Sequence, residues 1–181
     1  MSRKMKVILS LAVLGILTML PGSSQAQVNS NLATVTLTAG VTPYISVSVS
    51  AAAVNFTLVP GSGPTAGVPS LTVTTNWSLT GGPTMALWGT FTNATAALTA
   101  GGGNNIPSAN VLGSVNSGAA GAFTATGPFG GAAAGLQIYS VAGATTGTRN
   151  DTLDLSINLT SQPTLPSGTY VGTLSLQARA I

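Results

Sequence analysis

Beyond Lys6 the chain carries four charged side chains, Arg149, Asp151, Asp154 and Arg179, and it has no His, Cys or Glu at any position. Most general bases, activated nucleophiles and metal ligands are therefore missing. Asp151 and Asp154 are the one carboxylate pair. In an extended strand, residues three apart point to opposite faces, so the pair cannot converge on one substrate atom. They are expected to solvate a strand edge and its entry turn. Asn150, Asp151 and Asp154 offer oxygens to a hard cation but lack the spaced ligands and central glycine of a calcium loop. The glycine runs Gly101-Gly102-Gly103 and Gly130-Gly131 are followed by neither a helix nor a lysine that would hold a phosphate. Trp77 and Trp88 have the chemistry of a sugar-stacking platform, but aromatic residues on strands belong to the core more often than to a ligand site. Asn-x-Ser/Thr triplets at Asn55, Asn76, Asn93, Asn150 and Asn158 fall in a chain so rich in Thr and Ser that chance supplies several. The expectation is a protein with no catalytic residue, no metal and no cofactor, in short not an enzyme.

The remaining basic residues sit at the amino terminus. Arg3, Lys4 and Lys6 precede an apolar run from Val7 to Leu20, then Pro21 and Gly22, then Ser24-Gln25-Ala26. That order is a charged n-region, an apolar h-region and a small-residue cleavage site. The run is shorter than the roughly 20 apolar residues a membrane-spanning helix needs, and no second candidate follows. Residues 1–26 are read as a cleaved signal helix, so the exported chain should begin at Gln27. Its two arginines and two aspartates then cancel. A chain without net charge is a poor partner for nucleic acid. Nor can self-repulsion keep it soluble, so either hydroxyls and amides hydrate its surface or an assembly covers it.

Residues 27–181 suit a single domain. Thr, Ser, Val, Leu, Ala and Gly dominate, which favours strands joined by small-residue turns. Ala33, Val35, Leu37, Ala39 and Val41 alternate with threonines, a period of two that a strand satisfies. Pro43 interrupts it, and Ile45, Val47 and Val49 resume the alternation against serines. Further strands are expected at residues 54–59, at 70–79 with Leu71, Val73, Trp77 and Leu79 on one face, and at 84–92. Residues 99–135 read as long loops around one or two short strands, with Ile106, Val111, Phe123 and Phe129 among scattered apolar anchors. Order returns at residues 136–141 and again where Leu153, Leu155, Ile157 and Leu159 alternate with polar residues. A long last strand is expected over 169–180, with Tyr170, Leu174 and Leu176 on one face and Leu174 and Leu176 buried. About seven to nine short strands without a helix predict an all-β fold, a two-layer antiparallel sandwich of immunoglobulin-like type. A membrane barrel would carry aromatic girdles, and this chain has few aromatic residues.

The two ends of the domain carry a resemblance. Residues 33–49 run into Asn55-Phe56, and Gly168-Thr169-Tyr170 opens the final strand, with Gly168 at the distance from the carboxyl end where many chaperone–usher subunits have a glycine. In these features the chain resembles spore coat protein U-like domains and archaic chaperone–usher pilins. It departs from them in having Tyr44 near the place of a usual cysteine and Ala180 where many have an aromatic residue. Trp77-Ser78-Leu79 also looks like the tripeptide of cell-wall-binding WxL domains. The pilin resemblance implies donor-strand complementation, in which a sandwich short of one strand is completed by an amino-terminal segment of a neighbour. Residues 33–41 have the form of that donor, with Ala33, Val35, Leu37, Ala39 and Val41 as the assembly strand. Gly168, Tyr170, Leu174 and Leu176 would belong to the carboxyl-terminal strand.

The function expected on these grounds is a secreted, cell-surface structural subunit of a filament or coat. Its partners would be copies of itself, with a periplasmic chaperone and an outer-membrane usher implied by the resemblance. No nucleic acid and no membrane span after cleavage are expected. The alternative is a monomeric adhesin or glycan-binding sandwich whose long loops hold the ligand. Residues 33–41 as an ordinary internal strand is the competing reading of the segment itself.

Overall fold

The computed structural model describes residues 29–181, so the signal segment and Gln27 lie outside the described residues. The chain divides into two units, one ending at Gly40 and the other Val41–Ile181. In the first, the described residues 29–40 form no strand and every one is exposed.

Val41–Ile181 is built almost wholly of antiparallel β-structure. Its strands are β1 (Tyr44–Val49), β2 (Thr65–Ala66), β3 (Leu71–Ser78), β4 (Met85–Thr90), β5 (Leu98–Thr99), β6 (Asn105–Ile106), β7 (Val111–Val115), β8 (Gly121–Ala122), β9 (Gly135–Val141), β10 (Thr146–Ile157) and β11 (Ser175–Ala180), with one 3-10 turn at Ser108–Asn110. The largest sheet runs β1-β3-β10-β7-β8, with β2 also on β10; a second runs β11-β4-β9, and β5 pairs with β6. No helix among the described residues is long and apolar enough to cross a membrane.

The alternation seen in the sequence sets which faces meet. On β3, Leu71, Val73, Thr75 and Trp77 are buried in turn; on β10 the buried set is Asp151, Leu153, Leu155 and Ile157. Met85 and Leu87 of β4 face the same core, and Phe91 meets Phe123 edge to face with ring centroids 5.1 Å apart. The two larger sheets therefore share one hydrophobic interior, as layers of a sandwich do. Removing side chains such as Phe123, Leu87 and Ile157 from water contributes about 1.5–3 kcal/mol each. The outer face of β3 and β10 is polar and cross-linked: the Thr74 hydroxyl donates to Asn150 Oδ1 and the Thr148 hydroxyl to Asn76 Oδ1, both at 2.7 Å.

Several expectations are corrected. Residues 54–59 form no strand; their one ladder contact is the bridge between Asn55 and Val68. The final strand begins at Ser175 rather than at residue 169, because Val171 instead bridges to Thr99. Residues 99–135 are less loop-like than read: β6, β7 and β8 lie there, and Ile106, Val111 and Phe123 are fully buried. Trp77 is core, with its indole packed where Gly147 presents bare backbone; a Cβ at that glycine would come within 2.6 Å of the ring.

Asp151 reverses its expected role. Asp151 and Asp154 do point to opposite faces, but Asp151 is fully buried on a central strand rather than solvating an edge. Arg149, two residues away and so on the same face, donates from Nε to Asp151 Oδ2 at 2.7 Å and from Nη2 to Oδ1 at 2.9 Å. Asn116 Nδ2 donates to Oδ1 at 2.7 Å, and the Arg149 guanidinium lies 4.4 Å from the centre of the Tyr139 ring on the facing sheet. Burial works against the carboxylate, yet the hydrogen bonds from Arg149 and Asn116 outweigh it and hold Asp151 below the ordinary carboxylate range. Burial raises the Tyr139 phenol; the neighbouring Thr75 hydroxyl opposes it, although neither hydroxyl has a partner in hydrogen-bonding geometry. Asp154, on the outer face, accepts a hydrogen bond from Ser70.

Candidate functional site

β1 ends one sheet and β11 ends the other, each paired on one side only, and the two lie near each other. Between them opens a groove of about 1090 Å³. One wall is β1 and the stretch after it, which contributes Val47, Val49, Val54, Phe56 and Leu58. The other wall runs from Leu165 to Leu176 and includes Tyr170, Val171 and Leu174. Leu71, Phe91, Val111, Leu155, Ile157 and Leu159 line its depth. Hydrophobic side chains supply the floor and most of the walls, with Ser48, Asn55, Ser167, Thr169 and Thr173 among them, and no Asp, Glu, Lys or Arg lines the groove.

Local sequence explains why the walls stay apart. Val54 and Phe56 pack onto Gly67, where a Cβ would collide with both side chains, and Asn55 bridges Val68, so this stretch is held beside the segment between β2 and β3. On the opposite wall, Gly172 lies so close to the chain at Ala97 that a Cβ would come 2.0 Å from the Ala97 carbonyl oxygen. With the Val171–Thr99 bridge, this draws residues 171–172 toward β5 and away from β1. The Tyr170 hydroxyl donates to the Pro166 carbonyl at 2.9 Å, which closes the turn before it.

The residues singled out in the sequence fall into two groups. Gly168, Tyr170, Leu174 and Leu176 come together on one wall of the groove, Gly168 exposed and the other three half-buried, where burial is expected of Leu174 and Leu176. Ala33, Val35, Leu37, Ala39 and Val41 belong to no strand; Val35 is 82%, Leu37 90% and Val41 87% exposed. Sequence reasoning missed the wall formed by Val54, Phe56 and Leu58, which it took for a strand. It also read Leu155, Ile157 and Leu159 only as the apolar side of an alternating strand, although they floor the groove as well. The signal available was their position: the apolar alternation of β10 continues through Leu159, past the last residue paired to β7. Among the described residues no three His, Cys, Asp or Glu side chains cluster as metal ligands would. The groove can therefore bind by apolar burial and by main-chain pairing to an edge strand. No protein-family model matches this chain, and a search of curated proteins finds no match.

Proposed function

We propose that this protein is a secreted structural subunit of a surface filament or coat, and that subunits join by inserting residues 33–41 of one copy into the groove of the next. The observation that carries this reading is a pairing of unmet needs: an open apolar groove beside edge strands, and a regular apolar segment that exposes nearly all of its side chains. On this reading residues 27–181 form one immunoglobulin-like sandwich that lacks a strand, and the donor supplies it. Alternate side chains of an inserted strand face one way, so Val35, Leu37 and Val41 would enter the groove while the threonines face out. Burying each would contribute about 1.5–3 kcal/mol before ordering entropy, with main-chain hydrogen bonds added along the edge. The same logic calls for a chaperone that shields the groove before assembly, since an unpaired edge beside apolar surface invites wrong pairing. Nothing in this mechanism requires a catalytic group, a metal or a cofactor.

Size-exclusion chromatography tests it. Full-length exported protein should form oligomers that resist sodium dodecyl sulfate and grow with concentration. A variant lacking residues 27–41 should remain monomeric and bind a peptide of residues 33–41. A full-length protein that stays monomeric at high concentration, with that segment protected from proteolysis, would overturn the reading.

A further inference from the structure

Only Thr42 and Pro43 separate Val41 from β1, and β1 is itself a wall of the groove. If residues 33–41 are a groove-filling strand, the nearest groove is their own, so something must keep the segment from folding back. Register supplies the obstacle. A parallel alignment with β1 needs a crossover of about a dozen or more residues, leaving an antiparallel hairpin as the route along the β1 edge within one molecule. With Thr42-Pro43 as a two-residue loop, Val41 stands opposite Tyr44, Ala39 opposite Ser46 and Leu37 opposite Ser48. Directly paired residues project to the same face of a sheet. The inward side chains of β1 are Ile45, Val47 and Val49, which sit opposite buried Trp77, Thr75 and Val73. Tyr44, Ser46 and Ser48 face outward, so the tight hairpin would turn every apolar donor residue to solvent and its threonines to the groove. Two-residue hairpin turns also need a left-handed residue at the first loop position, which is here Thr42, a β-branched residue before proline.

Correcting the phase requires a loop of odd length. A loop of residues 41–43 would set Leu37 opposite Val47, but three-residue loops of this kind end on a left-handed residue, and the ring of Pro43 fixes φ near about −65°. A loop of residues 42–44 asks the same of Tyr44, which is held in β1 opposite Ser78. A five-residue loop of residues 39–43 restores the phase but surrenders Ala39 and Val41 to the turn.

We propose that Thr42-Pro43 acts as an anti-hairpin connector: it blocks in-phase closure of the groove by the molecule's own segment and so commits residues 33–41 to the groove of a second copy. This rests on the strand-insertion reading above. The double variant T42D/P43G tests it, because an Asp-Gly ending lets a loop of residues 41–43 take a type I turn closed by a left-handed glycine, in phase with Val47. Wild-type protein should oligomerise, whereas T42D/P43G should elute as a monomer with residues 33–41 protected from proteolysis. An internal strand acts at an effective concentration near the millimolar range, so the double variant should bind a peptide of residues 33–41 roughly a hundredfold more weakly than the chain lacking residues 27–41. T42D alone keeps the proline and should assemble as wild type, which separates turn geometry from added charge. P43G alone should shift the population toward monomer, and serves if the double variant fails to fold. Oligomers of T42D/P43G or of P43G at wild-type levels, with residues 33–41 still open to protease, would overturn the connector while leaving strand insertion standing. A wild-type chain that neither oligomerises nor, when truncated, binds the peptide would bring down both.

Discussion

The inner face of β10 carries Arg149 and Asp151 toward one end and Leu155 and Ile157 toward the other, and the two stretches meet different fates. The carboxylate is enclosed by its own chain: Asn116 from the turn after β7 and Arg149 beside it supply its partners, the Tyr139 ring lies against the guanidinium, and Asp151 is 1% exposed while Arg149 keeps 38% of its side chain in water. The apolar stretch is buried too, yet it lies under a groove whose walls keep exposed side chains such as Val49 and Val171. An ion taken from water needs every partner in place, because a buried charge left unpaired costs several kcal/mol. Apolar surface carries a smaller cost per side chain and can wait for an occupant from outside the chain. On the strand-insertion reading, the sandwich is finished within the molecule at the Asp151 end and completed from outside at the groove.

Substitutions should divide along that line. Asp151→Ala strips the carboxylate from Arg149 and Asn116, and urea unfolding of the unassembled chain should show a loss of about 2 kcal/mol, because the guanidinium left behind keeps 38% of its side chain in water. An unchanged midpoint would mean that the pair is not the keystone of its end. The pH dependence belongs to the same group. Because Asp151 titrates lower in the folded chain than in the unfolded one, its contribution is complete above the ordinary carboxylate range and is lost as pH falls through the folded value. Stability of the wild type should decline below about pH 4, and the Asp151→Ala chain should decline less steeply over that interval.

Gly172→Ala probes the boundary between the two regions, since its Cβ would collide with the Ala97 carbonyl and push the groove wall outward. A loss of about 1–3 kcal/mol is expected, with weaker binding of a peptide of residues 33–41. Normal stability and normal binding together would mean that the wall is not set by that contact. Leu37→Ser should have the smallest effect on the unassembled chain, within about 0.5 kcal/mol, because the side chain is already exposed. Its effect should appear in chromatography, as lost oligomers. A large drop in monomer stability would instead place Leu37 inside its own fold.

Much of the fold was legible where one face of a strand is apolar and the other polar. Residues 45–49, 71–78 and 153–157 all show that alternation, and all are strands with the expected residues facing in, although Val49 is exposed. Strand β7 escaped notice because its central inward position is Gly113, which no hydrophobic pattern detects. Glycine is required there: a Cβ would come within 2.7 Å of the Leu136 side chain. The opposite error fell on residues 54–59 and 169–174, where apolar alternation is present but the partner strand is not. Both stretches became walls of the groove.

The sequence by itself determined that the chain offers no imidazole, no thiol and no glutamate, since no fold can supply a side chain that the chain does not contain. It also pointed to β structure, because a period of two gives an extended strand one apolar face. Tertiary structure decided what each apolar face meets. Ala33, Val35 and Leu37 alternate as cleanly as Leu153, Leu155 and Ile157, yet the first set stands in solvent and the second is buried. Alternation fixes which side of a strand is apolar, but it carries no information about whether a facing layer exists, because that depends on residues far away in the chain. The same holds for Asp151, whose burial depends on Arg149, Asn116 and Tyr139 converging from separate parts of the sequence, and only the folded chain brings them together.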